Sequence, residues 1–165
     1  MALRSRLRSS PETLQDFEIA ADERYWEAME LMLAGRKAMG IYLMGYVAEM
    51  RLKLAYFRVI GQKSTAEVKP LLGPVRLEAA QLRLETENYH SLRCWSELLI
   101  DKRTALGLAS PSGQLETTLR RVANTLYDIW WVEMRYRPDS ATEDEMNSIF
   151  DGVSWLDRNY MSLWR

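Results

Sequence analysis

Residues 36–61 read RKAMGIYLMGYVAEMRLKLAYFRVIG, and the fold follows from this stretch. From Ala38 to Phe57 the residues that are not apolar are Gly40, Gly45, Glu49, Arg51 and Lys53. A helix that is apolar on nearly every side has to be surrounded by other helices, because water on any flank would meet exposed side chains. The sequence therefore predicts a central apolar helix over about residues 36–58. Its seam runs through Ala38, Ile41, Gly45, Ala48, Leu52 and Ala55 in steps of three and four. Most of those side chains are small, so a neighbouring helix is expected to approach closely there.

The rest of the chain supplies the surrounding helices. Leu14 and Phe17 begin an apolar stripe that continues through Tyr25, Ala28, Met29, Met32 and Leu33. Ser9 with Glu12 fits a capping box, Pro11 suits a first turn, and Gly35 suits a C-terminal stop. The pattern fits either one helix over residues 11–34 or a short one followed by a second over residues 21–34. Residues 61–73 are polar and broken by Gly61, Pro70 and Gly73, which predicts a surface connection, with Pro74 opening a third helix. Leu92, Trp95, Leu98 and Leu99 give a short amphipathic helix ending near Gly107, and residues 109–113 form a turn. Leu115, Leu119, Val122, Leu126, Ile129 and Trp130 mark a helix running to about Tyr136, where Pro138 ends it. Ser140 with Glu143, or Thr142 with Glu145, caps a last helix buried through Met146, Ile149, Phe150, Val153, Leu156, Tyr160 and Leu163. The expected fold is all-α, an up-and-down bundle of five to six helices.

Composition narrows the function. The chain has 165 residues and is 47% apolar, enough to bury the core of a single domain, expected over residues 11–165 behind a flexible basic arm at 1–10. Lysine and arginine total 22 against 23 acidic residues, which lacks the basic excess of a dedicated phosphate-backbone binder. One cysteine, Cys94, and one histidine, His90, furnish neither an internal disulfide nor a zinc site, and the setting expected from this is reducing and cytoplasmic. Residues 1–10 are polar and arginine-rich rather than a secretory core, and Glu49, Arg51 and Lys53 make the longest apolar stretch costly in lipid. No membrane span, metal or cofactor is expected.

The phrase RYWEAMELMLAGRKAMGIYLMGYVAEMRLKLAYF, Arg24 to Phe57, resembles the first helical hairpin of HEPN domains (higher eukaryote and prokaryote nucleotide-binding). The family's second helix has the form Tyr-Leu-x-Gly-Tyr-x-x-Glu-x-x-Leu-Lys, which is present as Tyr42, Leu43, Gly45, Tyr46, Glu49, Leu52 and Lys53. His90, Leu92 and Leu98 are similar to a His-x-Leu helix opening, and Trp130 with Arg135 and Tyr136 is similar to the Arg-Tyr element before the last helix. The resemblance implies a helical bundle, frequent homodimers, and association with a nucleotide, RNA or a nucleotidyltransferase partner.

Each candidate site residue has a structural and a functional reading. Glu49 and Lys53 stand i, i+4 on a buried helix with Tyr42, Tyr46 and Tyr56 near the same face. They form either an ion pair that orients helices or part of a ligand-facing cluster, with Lys53 and Arg135 as the donors expected for the carboxylate. His90 is the only side chain with a reference pKa near neutrality; it serves either as a helix cap or as a general base. Arg135, Tyr136 and Arg137 follow Trp130 and Trp131, a combination able to stack on and pair with a nucleotide or simply to end a helix. Many HEPN proteins are toxin-like, metal-independent endoribonucleases using an Arg, four to six residues, then His. Here Arg83 and His90 have that spacing, but apolar Leu84 follows Arg83 where the family usually has a polar residue. The leading expectation is a non-catalytic bundle that binds a ligand through Glu49, Lys53, His90, Arg135 and Tyr136. The alternatives are the endoribonuclease and a purely structural interaction module.

Overall fold

The computed structural model describes residues 12–85, 90–136 and 138–165. They form six α-helices, α1 (Leu14–Leu33), α2 (Lys37–Val59), α3 (Val68–Gln81), α4 (Leu92–Ala105), α5 (Gln114–Ile129) and α6 (Glu143–Trp164). A short 3-10 helix, Val132–Tyr136, precedes α6. The protein is an all-α bundle, and α2 packs against α1, α4, α6 and the 3-10 helix. Among the described residues no helix is long and apolar enough to cross a membrane.

Side-chain pairs give the helix directions. Arg51 with Asp22 and Arg58 with Glu18 set α1 antiparallel to α2. Arg51 with Asp157 and Lys37 with Glu143 set α6 parallel to α2. Arg93 with Asp128 and Arg120 with Glu97 set α5 antiparallel to α4. Because His90 meets Glu49 while Lys53 lies over Trp95, α4 also runs parallel to α2. The up-and-down order therefore has α3 as its crossover. Arg51 is the tie between α1, α2 and α6: its guanidinium bridges Asp22 and Asp157, the latter at 2.7 Å, and lies over the Tyr160 ring.

α1 is one continuous helix, capped by Thr13 with Asp16, since Thr13 Oγ1 accepts from Asp16 N at 3.2 Å and Asp16 Oδ2 accepts from Thr13 N at 2.8 Å. Ser9, the cap expected from the sequence, lies outside the described residues. α3 begins earlier than predicted, at Val68, and Pro74 lies inside it rather than opening it. Pro70 is tolerated because it falls in the first turn, where no intrahelical N–H bond is lost. The starts of α1 and α3 satisfy each other instead: Leu14 N donates to Ala66 O at 3.0 Å and Val68 N to Glu12 O at 2.9 Å. α5 stops at Ile129, short of Tyr136, because Trp130 turns extended (ψ 130°) and inserts its ring against α2. α6 uses the Thr142–Glu145 capping box, one of the two expected.

The small-residue seam of α2 is buried throughout, but the closest approaches are differently distributed. The backbone of α1 comes nearest at Gly40, where an added Cβ would lie 3.2 Å from Ala28 O and overlap Met32. At Gly45 the space is filled by the Trp130 indole rather than by a helix backbone.

Four helices end in the same left-handed turn. Gly35, Gly61 and Gly107 occupy it at φ +73°, +80° and +69°, and Arg83 does so at φ +58° after α3. Arg83 N donates to Ala80 O at 3.0 Å and Leu84 N to Ala79 O at 2.9 Å, closing the paired-carbonyl motif that glycine normally completes. A side chain there costs about 1–2 kcal/mol, against about 0.5–1 kcal/mol of extra chain entropy for glycine. Arg83→Gly is expected to stabilise the fold by about 0.5–1 kcal/mol in urea denaturation. A loss of stability would show that the Arg83 side chain holds α3 in place.

Candidate functional site

The cluster is built around Glu49, which α2 carries into the interior with 4% of its surface exposed. A carboxylate at that depth needs donors, and it has two. One turn on, Lys53 pairs with its Oε1, the ammonium also lying over the Trp95 ring. From the segment before α4, His90 Nδ1 meets Oε2 at 2.8 Å. A carboxylate flanked by an ammonium accepts, so Nδ1 carries the hydrogen, and in the neutral ring Nε2 is then the basic nitrogen. Arg135, expected as a donor to Glu49, instead lies with its guanidinium 3.4 Å from the Tyr42 hydroxyl, which in turn donates to Tyr46 Oη at 3.4 Å. Tyr56, expected on the same face, points away and donates to Glu78 at 2.7 Å.

The helix-cap reading of His90 does not hold. Ser91 is the N-cap of α4, its Oγ accepting from Cys94 N at 3.3 Å, which leaves the imidazole one residue earlier to turn onto α2. Aromatic edges hold the ring from the side: Tyr46 at 5.9 Å and Trp130 at 6.3 Å between ring centroids, both near perpendicular. Trp130 is itself fixed by Nε1 donating to Tyr42 O at 3.1 Å. Burial, with the Tyr42 hydroxyl and the Glu49 charge adding to it, pushes the Tyr46 phenol well above its ordinary range, so it stays neutral.

His90 opens onto a cavity of about 440 Å³ whose other walls are Tyr127, Asp128, Ile129, Trp130, Trp131 and the start of the 3-10 helix. Trp131 is about half exposed, presenting a flat apolar face. Of the expected site residues His90 lines this cavity, while Glu49 and Lys53 stand behind it as buried support. Arg135 and Tyr136 belong to the adjoining 3-10 helix, where the Arg135 guanidinium lies 4.7 Å over the Tyr136 ring. Arg83 is exposed at the end of α3 and is not among the lining residues.

Tyr127 and Asp128 were missed by sequence reasoning, because on the α5 stripe they read as flank positions. Their common signal is the end of α5: the helix breaks at Trp130, which opens the cavity over its last turn. Among the described residues no three His, Cys, Asp or Glu side chains converge as a metal ion requires. Cys94 is buried, and burial pushes its thiol up to about 11, which suits packing rather than nucleophilic chemistry. Compared with known proteins, the chain matches no family model, no curated protein and no solved structure.

Proposed function

We propose that this chain is a non-catalytic HEPN-like bundle that dimerises and binds a nucleotide or RNA at the His90 cavity, the face it would also offer a nucleotidyltransferase partner. One observation carries the reading: a cavity with an exposed indole on one wall has an imidazole on another whose orientation is set by a buried carboxylate. A nucleobase needs both a flat apolar surface to stack on and a fixed polar group at its edge. Arg135, which follows the lining residue Met134 on the adjoining 3-10 helix, is the cation a phosphate of such a ligand would pair with.

The test is calorimetric titration of the full chain with ATP and with a short single-stranded RNA. Binding is expected to weaken about tenfold in Trp131→Ala, the usual cost of losing one stacking face. Absence of binding by either at millimolar concentration would sink the ligand half of the proposal.

The Glu49–His90 pair also favours a second reading, the metal-independent endoribonuclease. There the imidazole would take the proton from a ribose 2'-hydroxyl, and an arginine would stabilise the charge on the phosphorane. Arg83 does not line the cavity with His90, so this reading needs an arginine from a second copy. Cleavage of RNA that persists in His90→Ala would remove it.

A further inference from the structure

The first helix carries an apolar row that, among the described residues, the bundle leaves exposed. Ile19, Trp26 and Leu33 repeat at seven-residue intervals and are 50%, 68% and 84% exposed. Seven-residue spacing places them in one line along α1, with Met29 filling in between, the pattern of a helix that expects another helix beside it. At 1.5 Å per residue the line is about 21 Å long, four turns of a partner. It borders a groove of about 180 Å³ between α1 and α6, floored by Met29, Met32, Met146 and Phe150. Methionine-rich floors adapt to the side chains of a docking helix. The groove is built rather than accidental: the Tyr25 ring braces Trp26 edge-to-face at 5.6 Å, and its hydroxyl is 3.4 Å from Ser154 Oγ on α6.

Charge indicates the occupant. Along the outer edge of α1 run Glu23, Glu27 and Glu30, all exposed. Arg24 pairs with Glu27, and among the described residues Glu23 and Glu30 form no ion pair. On the opposite side the cations Lys37 and Arg51 are already paired with Glu143 and Asp157. The apolar line therefore has an acidic border with unspent charge. A second copy docked antiparallel on this face would set each Glu23 and Glu30 row against its equivalent, which is repulsive. We propose that the α1–α6 groove docks an amphipathic helix of a partner protein that carries Lys or Arg along one edge of its apolar face. The groove shares no lining residue with the His90 cavity, so this proposal stands apart from the ligand reading.

The experiment uses the full chain and two fluorescein-labelled helical peptides of one design, Leu at the heptad core positions and either Lys or Glu along the flanking edge. Fluorescence anisotropy is expected to show binding of the Lys peptide and at least tenfold weaker binding of the Glu peptide. Leu33→Asp should weaken the Lys peptide about tenfold, as loss of an apolar anchor that lines the groove does, and Glu23→Lys with Glu30→Lys should reverse the preference. All three positions are exposed, and circular dichroism checks that the variants fold. Equal binding of both peptides, or binding unaffected by Leu33→Asp, would overturn the proposal. So would a concentration-dependent dimer in ultracentrifugation that Leu33→Asp abolishes, since the face would then be covered by a second copy.

Discussion

An Arg103→Ala variant is expected to lose about 3–5 kcal/mol of folding stability, the range for breaking a buried, hydrogen-bonded charge pair from one side. Arg103 is 3% exposed and serves several acceptors at once. Its Nη1 donates to Ser162 O at 3.0 Å and to Leu163 O at 2.7 Å, its Nη2 to Leu108 O at 2.6 Å, and its Nε to Glu116 at 3.4 Å. The guanidinium thus closes the last turn of α6 and the turn after α4, where carbonyls have no helical partner. Alanine would strand those carbonyls and leave Glu116 with Ser110 alone, which donates from N at 2.9 Å and Oγ at 2.7 Å. Lysine should not rescue, because one ammonium cannot reproduce the planar fork.

The pH dependence follows from the same network. Burial would raise the Glu116 carboxyl, but the Ser110 hydroxyl and amide and the Arg103 guanidinium outweigh it and hold it below its usual value. The capping carboxylates Asp16 and Glu145 are likewise held low, chiefly by the Thr13 and Thr142 backbone amides. Groups lowered on folding stabilise fully above the unfolded carboxylate range of about 4, and the contribution is lost as pH falls from there through the folded values. Urea denaturation at pH 7 and below pH ~4 should therefore show a shallower acid loss in Arg103→Ala than in the parent. A variant within about 1 kcal/mol of the parent at pH 7 would mean that water replaces the guanidinium.

Gly45→Ala should be the most damaging small substitution in α2, costing about 3 kcal/mol. A Cβ at this position would overlap the Trp130 indole, a rigid ring that cannot bend aside as an alkyl chain can. The ring would have to leave, giving up its bond to Tyr42 O and the edge contacts to Tyr46 and His90. The loss should appear in thermal denaturation and as a changed near-ultraviolet dichroism spectrum. Combined with Trp130→Ala the two losses should fall well short of additive, since the smaller side chain makes room for the methyl group. Full additivity would show that Trp130 does not occupy the notch. Because the indole also walls the His90 cavity, ligand binding in Gly45→Ala should weaken along with stability.

These positions differ in how far they could be read in advance. The apolar run of α2 announces a central helix, since no other arrangement hides side chains on all its faces. The stripes of α1, α4, α5 and α6 place the surrounding helices for the same reason, and the Glu49–Lys53 pair is visible because i, i+4 contacts lie within one helix. The start of α3 was misplaced because Pro70 and Gly73 look like loop punctuation until Glu12 and Ala66 are seen to satisfy the amides at that end. The end of α5 was misplaced because the stripe says nothing of an indole finding a glycine 85 positions earlier.

By itself, then, the sequence determined the helical class, the central position of α2, the two candidate caps of α6 and the residue types available for chemistry, all properties carried by spacing along one chain. The meeting of Glu49 with His90, the fit of Trp130 into Gly45 and the four-acceptor role of Arg103 were decided by tertiary structure. Each includes a contact between residues tens of positions apart, and which buried donor meets which acceptor depends on how whole helices pack, a choice that local periodicity does not contain.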